Sequence, residues 1–196
     1  MANAFGATTF LAQIAIFAAT VALLVSFLIA QQASRFGPAV AQRFLERGDV
    51  IPPGNAPLNA ANLAAWVHDP DNAASVKGYA RTVISIDIVF LLAFGTFLAT
   101  AARFVAERVD WRILDAASLW WWALAILPGL YVIADFFEDI LIVHLLENPD
   151  AIPGRFDLLR KVTSWKMRTS IGSFAQLAIL FAALFALGSS PPLSTP

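Results

Sequence analysis

The chain has 196 residues, 59% of them hydrophobic and only 14% charged, with a formal net charge of −1. A soluble domain carries roughly 25% charged residues and needs a polar surface, so this composition points to a protein that uses the bilayer as solvent for its apolar excess. The near-neutral balance leaves no basic field for nucleic acid. The absence of cysteine excludes disulfides, thiolate catalysis and thiolate-ligated metals.

The first segment, Phe10–Ala30, is 21 uncharged residues, about 30 Å of helix and enough to cross the hydrocarbon core. No Lys or Arg precedes it, unlike the basic start of a signal peptide, so it is read as a retained span. The connection over residues 31–78 is the one long polar stretch. Its first part reads as a helical extension or amphipathic surface helix. IPPGNAPLN (51–59) reads as irregular loop, and NAANLAAWVHDPDNAASV (59–76) as a short helix ended by Pro70. The second span is expected over 79–100, with Asp87 inside it. Gly95, with Ala93 and Ala99, would allow a close helix approach.

The third span is expected over 116–146. It opens on Trp120, Trp121 and Trp122, an interfacial aromatic cluster, and contains Pro128, which removes a backbone donor. After the short charged connection Arg103–Asp115 and the turn-rich connection Glu147–Arg160, the fourth span is expected over 162–187, with a mixed first half and an apolar second half. The tail SSPPLSTP reads as disordered. The expected fold is all-α: a single membrane domain, an up-down transmembrane four-helix bundle. Lys and Arg flanking the spans divide ten (first and third connections) against three (Arg103, Arg108 and Arg112), which puts those two connections in the cytoplasm and the termini outside.

Charge inside the spans carries the functional argument. Asp135, Glu138 and Asp139 stand at i, i+3 and i+4 on one helical face, with Tyr131 a turn earlier. Three carboxylates in an apolar setting cannot all stay ionised without partners. Asp87 and Lys166 are expected at similar depth, and Thr163, Lys166, Ser170 and Ser173 form a polar stripe at helical spacing, widened by Thr169 and Gln176. The cluster Asp87, Asp135, Glu138, Asp139 and Lys166, supported by Tyr131, Thr163, Ser170 and Ser173, reads either as interhelical pairs that fix helix rotation or as a proton, ion or headgroup site. His144 stands about 180° from Asp135 on the helix, and His68-Asp69-Pro70-Asp71-Asn72 is turn chemistry, so neither histidine marks a metal site. No metal ligand set, cofactor or catalytic residue is expected.

Pro128, Asp135-x-x-Glu138-Asp139, Glu147-Asn148-Pro149 and Thr163-x-x-Lys166 together resemble a pattern in small bacterial four-span membrane proteins of uncharacterised function, in which a D-x-x-E-N run ends the third helix. The resemblance covers Tyr79–Leu187, with Asp139 in place of the usual Asn, and it implies no activity. It places the chain in a bacterial inner membrane. The expected role is a non-enzymatic accessory or assembly component, with the lipid bilayer, other membrane subunits or a second copy as partners. A proton- or cation-coupled transporter or channel subunit using Asp135 and Glu138, and a lipid-headgroup enzyme, stay open as alternatives.

Overall fold

The computed structural model describes residues 2–35, 59–109 and 119–187. Of these, 96% are helical, so the fold class is all-α. The helices are α1 (Ala2–Arg35), α2 (Ala60–His68), α3 (Ala73–Gly78), α4 (Ile84–Ala106), α5 (Leu119–Glu147) and α6 (Ile152–Leu187). A 3₁₀ turn, Pro70–Asn72, joins α2 to α3, a π-helical turn, Tyr79–Val83, joins α3 to α4, and a 3₁₀ turn, Pro149–Ala151, joins α5 to α6.

Among the described residues, three helical stretches are long and apolar enough to cross a membrane: Phe10–Gln32, Pro70–Ala106 and Pro149–Ala186. Helix α5 has 29 residues, about 43 Å at 1.5 Å per residue, yet it is not among them. Asp135, Glu138 and Asp139 stand together in its second half. The expected loop IPPGNAPLN, most of the connection 31–58, part of the second connection and the tail lie outside the described residues.

Local chemistry explains where the helices begin and end. Asn59 and Asn62 cap α2 reciprocally, each side-chain oxygen accepting from the other's backbone N–H at 2.9 Å. Asp69 then accepts from the Asp71 N–H, and the Asn72 amide donates to the Trp66 carbonyl at 3.1 Å, which closes the turn around Pro70. The fourth segment starts ten residues earlier than the sequence pattern implies, at Ile152 rather than 162. Its prolines cost nothing there: Pro149 opens the 3₁₀ turn and Pro153 is the second residue of α6, positions whose N–H has no helical acceptor. Only Asn148–Ala151 is left as a connection, and the Asn148 amide donates to the His144 carbonyl at the end of α5.

The chain divides into two compact units. The first comprises Met1–Ala22, Leu92–Ala134 and Trp165–Pro196, and the second Leu23–Leu91 and Asp135–Ser164. The first unit is packed through small residues and rings. Ala102, Val105, Ala106 and Leu180 form its buried cluster, flanked by Phe104, Leu124, Leu177 and Leu184. Gly95 lies so close to Val132 that a Cβ there would collide with its side chain, which is the close approach the sequence anticipates at this glycine. Phe94 meets Tyr131 edge-on at 5.6 Å and Phe174 at 5.7 Å. In the second unit, Leu63, Val83, Leu91, Ile142, Leu145 and Ile152 are buried. His68 and Asp150 approach to 3.6 Å on its exposed side.

Hydroxyls along the helices mostly bond within their own helix. Thr100 donates to Thr96, Thr169 to Trp165 and Ser173 to Thr169, all to carbonyls one turn back. This is the usual way a hydroxyl is satisfied where water is scarce.

Candidate functional site

Helix α5 is amphipathic with its polarity reversed. Tyr131, Ala134, Asp135, Glu138, Asp139 and Ile142 lie on the buried side. Ile133, Phe136, Phe137 and Ile140 are exposed. The apolar side chains thus lie on the exposed face of α5 and the charged ones on its buried face.

The acids on that face are among the most deeply buried side chains in the molecule: Asp135 is 1% exposed, Glu138 0% and Asp139 2%. Asp87, half-buried on α4, joins two of them. One carboxylate oxygen each from Asp87, Asp135 and Asp139 lies within 4.8 Å of the others. All four acids belong to the second unit, and so does Thr163, whose hydroxyl donates to Glu138 Oε1. The sequence places Asp87, the acidic face of α5 and the start of the last helix at one depth. The structure brings Asp87, Asp135 and Asp139 together and ties Glu138 to α6 through Thr163.

The remaining residues of the predicted network are placed differently. Tyr131 is buried and packs its ring against Phe94. Ser173 is buried but spends its hydroxyl on the Thr169 carbonyl. Ser170 and Lys166 are half-buried on α6. Lys166, Arg160 and the acids each engage in a polar or electrostatic interaction. His144 sits in the last turn of α5, with its ring beside the Asn148 amide at 3.4 Å.

The geometry of the three aspartates has a direct chemical meaning. Three atoms no more than 4.8 Å apart share a point at most 4.8/√3, about 2.8 Å, from each, close to the 2.3–2.6 Å of calcium–oxygen bonds. The same closeness makes three full negative charges strongly repulsive in a low-dielectric setting. The group is therefore suited to holding positive charge, either as a cation with hard oxygen preference or as protons shared among the carboxyls. Sequence reasoning assigned no metal ligands here because spacing rules inspect one helix at a time, and this set takes one residue from α4 and two from α5.

No family model, curated protein or solved structure matches the chain.

Proposed function

We propose that this chain is a small polytopic protein of the bacterial inner membrane, a non-enzymatic component whose intramembrane carboxylates bind positive charge, as a metal cation or as protons. One observation carries the reading: the mutual approach of Asp87, Asp135 and Asp139 within 4.8 Å. Burial supports it: Asp135, Glu138 and Asp139 are almost wholly buried.

In this reading α5 is the fourth span, its acidic face hidden from lipid. The first unit gathers the N-terminal halves of α1 and α5 with the C-terminal halves of α4 and α6, as an up-down four-helix bundle requires. The ten-to-three distribution of Lys and Arg supports a cytoplasmic side for Asn148–Ala151. Because the chain lacks cysteine, single cysteines at Arg108 and Glu147 test the topology: a membrane-impermeant thiol reagent should label them from opposite sides.

Four spans enclose little room for a private aqueous pathway. The bound charge accordingly acts as a fixed part of the bundle, or of a larger assembly built on it, rather than as cargo in transit. The functional test is thermal unfolding of the protein in lipid nanodiscs, with and without Ca²⁺, Mg²⁺ or Mn²⁺, across pH. A ligand that binds only the folded state stabilises it by about 2.7 kcal/mol at one hundred times its Kd. If a metal cation fills the site, its stabilisation grows with pH, because protons compete for the same oxygens. If protons fill it, the folded state holds protons that the unfolded chain releases, and stability falls as pH rises. Stability indifferent to both cations and pH rejects the proposal.

A further inference from the structure

An α-helical residue donates its N–H to the carbonyl four positions back. Pro128 has no N–H, so the carbonyl of Leu124 loses its helical donor, and where water is scarce such a group must find another. Pro128 is buried inside α5, and the helix runs without a break through it. The replacement comes from another helix: Gln176 Nε2 on α6 donates to the Leu124 carbonyl at 2.8 Å. Gln176 is the only amide side chain in the apolar stretch from Ile171 to Leu187. All three residues belong to the first unit. Close helix packing surrounds them: a Cβ added at Gly172 of α6 would lie 3.5 Å from the Leu127 side chain, and one at Gly95 would collide with Val132.

We propose that Pro128 and Gln176 form a single conformational latch, in which an amide of α6 takes the place of the backbone donor that proline removes from α5. The latch holds α6 on α5 only while Leu124 lacks a donor of its own. Proline and glutamine are thus interdependent: with proline present the amide is the donor that the Leu124 carbonyl has left, and without proline the backbone supplies one.

A double-mutant cycle in detergent or nanodiscs tests this with the wild type, Gln176→Leu, Pro128→Ala and the double variant. In the presence of Pro128, loss of the amide is expected to shift the unfolding equilibrium by about 3-fold to 20-fold, the range of hydrogen bonds between membrane helices. In the Pro128→Ala background, where the backbone supplies the donor, the same change is expected to have little effect. An equal effect on both backgrounds would overturn the proposal. Should Pro128→Ala not accumulate, a spin-label distance between cysteines placed at the exposed positions Ala123 and Ile179 decides. The distribution should widen in Gln176→Leu, and an unchanged one would overturn the latch.

Discussion

The two units of the chain solve opposite problems. The first is held by the fit of small surfaces: Gly95 against Val132, Phe94 between Tyr131 and Phe174, and Ala102, Val105 and Ala106 with Leu180. The second keeps Asp135, Glu138 and Asp139 almost wholly buried, with the Asp87 carboxylate drawn in beside the two aspartates. In the first, every removed contact is a loss. In the second, like charges lie close together, so the proposed reading expects that removing one of the three aspartates can be a gain. Buried polarity placed at such cost is a mark of function more than of stability.

The sharpest way to break this contrast is Asp139→Asn. In cation-free buffer at high pH, deleting one of three carboxylates whose oxygens lie within 4.8 Å of one another should stabilise the protein by up to about 3 kcal/mol, the repulsion of two unit charges at that distance and an effective dielectric of about 20. The same variant should lose the response to added cation, and a thermal-shift titration reads both effects. A substitution in the first unit must go the other way. Gly95→Ala places a methyl group where Val132 already sits. It should cost about 1–3 kcal/mol, as overpacking does, at every pH and cation concentration. Chemical denaturation or heating in matched nanodiscs would measure it.

These two variants also divide what the sequence made legible from what it did not. The periodicity at Asp135, Glu138 and Asp139 identified a polar face on α5, because helical spacing alone puts i, i+3 and i+4 side by side. Gly95 was legible as a close approach for the same local reason. The convergence of Asp87 on that face was legible only as shared depth, since which residues meet across two helices depends on rotation and crossing angle, which no single-helix pattern encodes. The role of Gln176 was hidden in the same way. It widened a polar stripe in the sequence, whereas its partner is a backbone carbonyl fifty-two residues away. The early start of α6 was missed because Pro149, Pro153 and Gly154 look like a turn when counted, while two of them occupy first-turn positions that tolerate proline.

Thr163→Val probes the link between the acid network and α6. The hydroxyl donates to Glu138, and its loss should cost about 0.6–1.7 kcal/mol. The penalty should shrink in Glu138→Gln, whose neutral amide no longer offers a carboxylate acceptor, and a double-mutant cycle on thermal unfolding reads that coupling. The smallest effect is expected at the exposed contact of His68 with Asp150. Asp150→Asn should leave stability unchanged in the same unfolding assay at low and high salt, as expected of a solvent-exposed pair.

The central claim is the proposal that Asp87, Asp135 and Asp139 together hold positive charge, as a metal cation or as protons. Infrared difference spectroscopy of the folded protein at neutral pH, wild type against Asp139→Asn, tests it most directly, because a protonated carboxyl and a carboxylate absorb at different frequencies. The account predicts a protonated-carboxyl band in cation-free wild type that is absent or altered in Asp139→Asn, or, where a metal cation fills the site, carboxylate bands that shift when the cation is removed. A folded, cation-free protein whose acids are all carboxylates would contradict it.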